Sequence, residues 1–399
     1  MAGHLIVQKY GGSSVATPSQ ISAAAEQIAE LHRQGHRLII VVSAMGKTTD
    51  ELLKLAYSVS PSPNRRELDM LLSTGERLSM ALVAMALTDR QVPAISFTGS
   101  QAGVLTDDLH SNARIINLKP VRVEAELSRG HVVILAGFHG VSPVTKEITT
   151  LGRGGSDTTA VAMAAHFKAE RCEIRKDVDG VHSADPNVAS GTRHLPHLHY
   201  LALLDMAFWG AKVLHYRSVE LAYLLRIPLH IGLAHGDGPK TVIDGETSMF
   251  ETASIISVNS HKDVRWFRIK SSNLPEAFQM LSRALKAKDL PPPQFLDSEG
   301  SSDNFALLIT APTETLDAIS DLVSFDDNFS VDPESLSTVT ATCQGVYASL
   351  VPTQIALVLS QHSISMKKML FSAMSVTVVL EAKYRDRALQ VIHDLKLDA

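Results

Sequence analysis

Three stretches of this 399-residue chain combine glycine with charged residues in the way that anion chemistry requires. In KYGGSS, Lys9 precedes Gly11, Gly12 and Ser13, between a strand-like run and a helical one. Paired glycines there let backbone N–H groups approach an anion, with the lysine beside them as a positive charge. GFHG closes the apolar run HVVILA. In LGRGGSDTTAVAMAAH, Arg153, Ser156 and Asp157 stand just before or at the start of a long apolar helix, whose N-terminus favours negative charge. Taken singly, each turn is ordinary loop geometry. Taken together with Lys9, Arg153 and Asp157 at strand ends, they read as a phosphoryl-transfer site in which a lysine stabilises charge and an acid holds metal or lysines.

A fourth stretch, SAMGKTTD, follows the apolar run LIIVV and ends like a phosphate-binding P-loop. That motif needs a glycine where this chain has Val41, so that successive N–H groups can curl around phosphate. A β-branched residue inside a strand-like run cannot form such a nest, which excludes the P-loop. The stretch still ends a strand and opens a helix, TTDELLKLAYSV, where open backbone donors suit a polar ligand. Thr49 is there either a ligand contact or a helix cap.

Loops of this kind need rigid elements behind them. Up to about residue 245, the runs HLIVQKY, HRLIIVVSA, VPAISFTG, HVVILAGF and RCEIRKDV alternate with amphipathic segments such as SQISAAAEQIAELHRQG. Short apolar strands separated by helices predict a mainly parallel sheet covered on both faces. After the turn region GLAHGDGPKTVIDGETS the pattern changes. VRWFRIK, LPEAFQMLSRALKAK, NFALLITAP and TETLDAISDLVS predict one small α+β unit; STVTATCQG, VPTQIALVLSQHS, MSVTVVLEA and DRALQVIHDLK predict a second. The length itself calls for two or three domains.

Composition narrows the class. The chain is 45% hydrophobic and 20% charged, with a net charge of -5, which gives no basic footprint for nucleic acid or acidic lipid. Cys172 and Cys343 support neither a disulfide framework nor a thiolate zinc site. No leader is expected in MAGHLIVQKYGG, and no apolar run reaches the roughly 18 residues of a membrane span, so a soluble cytoplasmic protein is expected.

KYGGSS, VVSAMGKTTDELL, LLSTGERLS, SFTGSQAGV, TTLGRGGSDTTA, DVDGVHSADP and GAKVLHYRSVELA follow one another in the order of the motifs of aspartate kinases, in the amino-acid kinase superfamily. The chain resembles that family densely over residues 3 to about 245, and its tail more weakly resembles the family's paired ACT domains. The resemblance implies an α/β amino-acid kinase fold over residues 1–245, then two small α+β ACT-like units over 246–399. It implies transfer of the γ-phosphoryl group of ATP, with Mg²⁺, to the β-carboxylate of L-aspartate. Lys9 would stabilise the transferring group and Asp157 would organise the cations. Arg153 would take the substrate α-carboxylate, which a guanidinium fork matches. Glu76 would take the ammonium, with Thr49 and Ser43 completing the amino-acid site. Gly11, Gly12, Ser13, Arg175, Lys176, Asp177, Asp185 and Lys212 would serve the nucleotide. A carboxylate acceptor is already nucleophilic at neutral pH, so alignment and charge neutralisation suffice. The resemblance also implies a homodimer or higher oligomer through the tail. Some members make that tail as a separate small subunit from an internal start, and Met249 stands at the matching place.

The sequence departs from the family pattern at several points. The family's Tyr-Thr or Tyr-Ser before DVDGV is here Arg175-Lys176, ADPR reads ADPN with Asn187, and LHPRS reads LHYRS with Tyr216. These changes gather in the nucleotide half, so a raised KM for ATP is expected, with the cations at Arg175 and Lys176 offsetting part of the one missing at Asn187. Relative to the Arg175→Tyr, Asn187→Arg double variant the rise is about tenfold, or roughly 1.4 kcal/mol. In the tail, SSNLPEAF, DLPPPQFL, CQGVYASLVPTQ and SISMKKMLFSAM replace the family's effector signatures, which implies weakened lysine and threonine feedback. RHLPHLHY brings His194, His197 and His199 together without a nearby carboxylate or thiolate, and reads as a surface connection rather than a zinc site. Two other readings stand beside the leading one: a kinase for another amino-acid carboxylate, and a catalytically weak partner subunit.

Overall fold

The computed structural model describes residues 3–236, 238–246, 254–287, 290, 292–301, 303–324, 326–344 and 351–395. Met249 and residues 345–350 of the tail lie outside them. Backbone packing divides the chain into two units.

In the first unit, eight strands form one sheet: β1 (Leu5–Tyr10), β2 (Arg37–Val42), β3 (Ala94–Phe97), β4 (Val132–Ala136), β5 (Arg171–Lys176), β6 (His197–His199), β7 (Leu229–Leu233) and β8 (Lys240–Asp244). Their spatial order is β6-β8-β7-β5-β1-β2-β4-β3, and every neighbouring pair is parallel except β7 with β8. The central strands are buried on both faces, which is why β2 and β4 read as unbroken apolar runs rather than alternating ones. Helices α1 (Pro18–Arg33), α2 (Thr48–Val59), α3 (Arg65–Thr88), α4 (Val121–Ser128) and α5 (Gly155–His166) connect them. Thr17 and Gln20 close a capping box at the start of α1, with Pro18 at its first position. Ile21, Ala24, Ala25 and Ile28 of α1 then pack with Ile6, Tyr10, Leu38, Ile40 and Val42 of the sheet and with Met80, Val83 and Leu87 of α3. The opposite face carries α5, whose first ten residues are all buried, so its sequence is small and apolar all round. By length and composition α3 could cross a membrane, contrary to the expectation that no segment would. In the fold it is a core helix, with Leu68, Leu72, Met80, Val83 and Leu87 buried along one side. A smaller four-stranded sheet, formed by Val104–Thr106, Ile115–Leu118, His139–Val141 and Ile148–Thr150, ends just before the loop that carries Arg153.

The second unit is built on one long strand, Ser254–Lys270, in a seven-stranded sheet. Its first part pairs with Leu336–Gln344 and its last part with Asn304–Thr310. Phe267 and Ile269 pack with Leu281 and Leu316, from helices Leu274–Ala287 and Thr313–Ser320. Val258 packs with Ile355 and Leu389, from helices Val351–Gln361 and Arg385–His393. Two helix-covered cores therefore exist, as expected, but they share a strand and a sheet. The boundary at residue 245 also does not partition the packing. His182–Arg193 and Phe208–Ala211 belong to the second unit. Ala184 and Ala189 sit in its core, and Ser183 Oγ lies 2.8 Å from His393 Nε2.

Candidate active site

Side chains on a strand alternate between faces, and this parity decides which charges meet. Ile6 and Tyr10 of β1 pack on the α1 side, so Lys9 points to the α5 side. There its Nζ lies 2.7 Å from Oδ1 of Asp157, in the first turn of α5, and both side chains are about nine-tenths buried. The contact is an ion pair rather than an aligned hydrogen bond, because Asp157 Oδ1 has no hydrogen-bond donor among the described residues. On β5, Cys172, Ile174 and Lys176 share this face. Burial pushes the Lys176 ammonium below the usual lysine range, with Asp157 pulling it up and Lys9 pushing it down. Lys176 Nζ donates to the carbonyls of Val213 at 2.5 Å and Lys212 at 3.4 Å, so it pins the chain beside Lys212. The β1–β5 boundary is also where the connections leave the sheet in opposite directions, the crevice in which open α/β sheets bind ligands.

Arg175 has the opposite parity. It points to the other face and donates to Glu173 Oε2 at 2.6 Å and to the Leu233 carbonyl at 3.2 Å. Burial would raise the Glu173 carboxyl, but Arg175, Gln8 and Arg171 outweigh it and hold that carboxyl down at about 2. The charge of Arg175 is thus matched by Glu173, and its side chain faces away from Lys9. Lys176 alone of the two faces the Lys9 pair.

The loops after β1 and β2 touch closely. A Cβ on Gly12 would lie 2.7 Å from the Ala44 carbonyl, and Gly46 N–H donates to Gly12 O at 3.0 Å. Gly11 has an extended backbone, and its N–H donates to Arg175 O at 3.2 Å, so Gly11 continues the sheet ladder instead of offering a donor to an anion. Gly12 and Ser13 open a short 3₁₀ turn. Ser43 N–H donates to Tyr10 O at 3.1 Å and is half-buried. Thr49 is the second residue of α2, whose N-cap is Lys47 with no side-chain cap, so Thr49 is not the cap.

Glu76 reaches the same end of the sheet from α3. It is buried; Oε1 accepts from Ala44 N–H at 3.1 Å, and Oε2 has no partner among the described residues. Burial pushes its carboxyl up to about 7, against the Ala44 N–H and the Lys9 charge. Arg153 is exposed on the loop before α5. That loop turns through Gly154, with φ +70°, whose Cβ would fall 2.4 Å from Cβ of His215. Only glycine satisfies both the left-handed backbone and the close approach. His215 caps the Tyr216–Leu225 helix through Nδ1, and burial pushes its imidazole below the usual range, with Arg217 and Arg153 adding to the shift and Asp157 opposing it. Asp177 is exposed, and the Lys212 side chain is exposed as well. Asp185 lies in His182–Arg193, thus in the second unit, where its Oδ1 accepts from the backbone and side chain of Asn187 at 3.0 Å.

Residues 4–232 match the model of the Amino acid kinase family. An aspartokinase of Geobacillus stearothermophilus is 36% identical over 398 residues, 98% of this chain and 96% of that relative. The chain belongs to the amino acid kinase family, among the aspartokinases. An aspartokinase of Mycolicibacterium smegmatis is 52% identical over 241 residues, but the match spans just over half of that relative's length, 57%, and 60% of this chain. Among solved structures, an aspartate kinase from Synechocystis is 32% identical with a TM-score of 0.56, covering 99% of this chain and 70% of that one. Aspartokinase III of E. coli, in complex with aspartate and ADP, shares the fold with a TM-score of 0.79 at 21% identity, over 98% of this chain and 99% of that one.

In this aspartokinase fold, sequence reasoning missed the residues that hold the loops. Arg217, in the LHYRS motif, donates to the carbonyls of Leu151 at 2.8 Å and Ala113 at 2.6 Å. Nothing in its spacing announces that, since both acceptors are backbone atoms far away in the chain. His197 was expected on a surface connection without a carboxylate. It stands instead on strand β6, at the edge of the sheet, with Nε2 2.8 Å from Asp244 Oδ1 on β8.

Proposed function

We propose that the chain transfers the γ-phosphoryl group of ATP to the β-carboxylate of L-aspartate, giving 4-phospho-L-aspartate in the cytoplasm. The observation that carries this reading is Glu76: a buried carboxylate with one oxygen tied to Ala44 N–H and the other without a partner among the described residues. A buried acid of that kind requires a cation to be stable in its charged form, and an amino-acid ammonium supplies one. The aspartate and ADP held by the E. coli relative agree with an amino-acid site and a nucleotide site on this fold.

In this mechanism Glu76 binds the ammonium and Arg153 the α-carboxylate, which leaves the β-carboxylate to approach the phosphoryl group near Lys9. Lys9 stabilises the negative charge shared among nucleophile, phosphorus and leaving oxygen, and Asp157 holds the Lys9 ammonium in place. Lys176 and Lys212 lie on the nucleotide side. Mg²⁺ would find one buried carboxylate here, that of Asp157, whose Oδ1 is shared with the Lys9 ammonium at 2.7 Å, and would take its other ligands from phosphate oxygens, as a hard cation does. Bound there, the ion would neutralise phosphate charge. We further propose an oligomer built through the second unit, with the tail also made as a small subunit, and feedback by lysine and threonine weakened.

A hydroxamate trap with ATP, Mg²⁺ and L-aspartate, against glutamate and N-acetylglutamate, tests the reading. Hydroxamate is expected from aspartate, and product from another acceptor alone would replace the substrate. Lysine plus threonine is expected to lower the rate by less than about twofold; strong inhibition would restore ordinary feedback. The second reading, a catalytically weak partner subunit, is favoured by the turned-away Arg175 and by Asn187 standing in place of an arginine. No turnover with any acceptor would establish it.

A further inference from the structure

Asp69 is a fully buried carboxylate on α3 to which neither sequence nor chemistry assigned a role. Its Oδ1 accepts from Thr150 Oγ1 at 2.6 Å, from Ser111 N at 3.1 Å and from Ser111 Oγ at 3.4 Å. Its Oδ2 accepts from Thr150 N and Ser111 N, both at 3.1 Å, and faces His110 Nδ1 at 2.8 Å. Every donor comes from two segments that converge on the Arg153 loop. Thr150 ends the Ile148–Thr150 strand, three residues before Arg153. Ser111 borders Gly152, which has a φ of +73° and where a Cβ would lie 3.0 Å from the Ser111 carbonyl. Ala113 N–H donates to Thr150 O at 2.8 Å, and Arg217 bridges the carbonyls of Ala113 and Leu151.

Glu76 lies seven residues further along the same helix. Seven residues are about two turns, so Asp69 and Glu76 share a face roughly 10 Å apart. One rigid helix thus carries the proposed ammonium receptor at one point and, at another, the anchor of the loop with the proposed carboxylate receptor. We propose that Asp69 is a positioning residue that fixes the span between Glu76 and Arg153, and thereby matches the site to an amino acid whose ammonium and α-carboxylate are a fixed distance apart. The inference rests on the assignment of Glu76 and Arg153 to the amino acid.

A carboxylate, rather than an amide, is required for this anchor. Both of its oxygens accept, and both face N–H and O–H donors. In Asp69→Asn, one end becomes an NH₂ group directed at the donors of Thr150 or Ser111, so the loop must move to relieve the clash while the side-chain volume is unchanged. Because the substrate is held at two points, a small displacement of one receptor weakens aspartate binding without touching the nucleotide.

The test is calorimetric titration of the full chain with L-aspartate and separately with ATP, followed by steady-state kinetics, on the wild type, Asp69→Asn and Thr150→Val. Thr150→Val removes the 2.6 Å hydroxyl bond but keeps the backbone N–H, so it reports on the anchor even where Asp69→Asn fails to fold. The expected result is a Kd and KM for aspartate raised about tenfold or more in the variants, with KM for ATP changed by less than about twofold. A purely structural role would instead lower stability and shift both substrates together or neither. Wild-type and variant proteins with equal Kd for aspartate, or equal losses for aspartate and ATP, would overturn the inference alone. A wild type that binds ATP but not aspartate would overturn the functional assignment and the inference with it.

Discussion

Lowering the pH from about 8 to about 6 titrates Glu76 while the carboxylates of aspartate stay ionised, since the Glu76 carboxyl is pushed up to about 7 by burial. Only the ionised form can pair with the substrate ammonium, so the apparent affinity for aspartate follows the ionised fraction. That fraction is about nine-tenths at the upper pH and about one-tenth at the lower, which predicts a KM for aspartate roughly tenfold higher in acid, or about 1.4 kcal/mol. An exposed glutamate with an ordinary pKa would remain ionised over the whole range and give no change. The same group shapes the stability of the free protein with the opposite sense. Folding makes Glu76 bind its proton more tightly, so its stabilising contribution is complete below about pH 4.5 and is lost as the pH rises through about 7. A rise from 4.5 to about 7 corresponds to on the order of 3 kcal/mol. Urea unfolding of the ligand-free protein should therefore show stability falling across that window, and saturating aspartate should remove the fall by supplying the missing cation. In Glu76→Gln both slopes should vanish and the KM for aspartate should be high at every pH. A wild-type KM for aspartate constant within about twofold across this range, or an unchanged profile in Glu76→Gln, would refute the assignment of Glu76 as the ammonium receptor.

The same geometry sets the outcome of four further substitutions. Lys9→Met should lower kcat by about a thousandfold and, by leaving the buried Asp157 carboxylate without its counter-ion, should also cost about 3–5 kcal/mol of stability in a urea titration; kcat of the folded variant within about tenfold of wild type would remove Lys9 from the chemistry. Asp157→Asn leaves a buried ammonium without its counter-ion and should cost about 3–5 kcal/mol in a urea titration. Gly154→Ala meets both a left-handed backbone and His215 Cβ at 2.4 Å; a loss of about 1–3 kcal/mol is expected, with a rise in KM for aspartate, since the strain falls on the loop that carries Arg153. Arg175→Met should destabilise the fold by about 2–3 kcal/mol, by leaving Glu173 with fewer partners, and should leave KM for ATP within about twofold; a large change in KM for ATP would return Arg175 to the nucleotide site.

Much of this site is written into local sequence, and strand parity shows how. KYGGSS and LGRGGSD put a lysine and an aspartate at strand and helix ends, and the fold joins those ends in a 2.7 Å ion pair. Arg175 and Lys176 are adjacent in a strand, so the two-residue period already sends them to opposite faces, and the Glu-x-Arg spacing of Glu173 and Arg175 already puts those two on one face. That the two cations serve different faces of the sheet is therefore legible in the sequence. Asp69 is different. Its partners stand 41 to 81 residues away and present backbone N–H groups and hydroxyls, which any sequence supplies everywhere. No residue type at Thr150 or Ser111 marks them as the donors that Asp69 gathers. The long strand Ser254–Lys270 is hidden for another reason: it starts in SIISVNSHKD, whose pattern two register shifts interrupt, so only its regular end reads as a strand. The packing of His182–Arg193 with the second unit has the same origin, because alanines at 184 and 189 fill a core built by residues beyond 250. Chemistry at an element's end is thus readable from its own letters, whereas what holds one loop against another depends on which strands become neighbours. For this chain the distinction is testable: changes at Lys9, Glu76 or Asp157 should alter chemistry or substrate charge recognition, and changes at Asp69 should alter the distance over which that recognition acts.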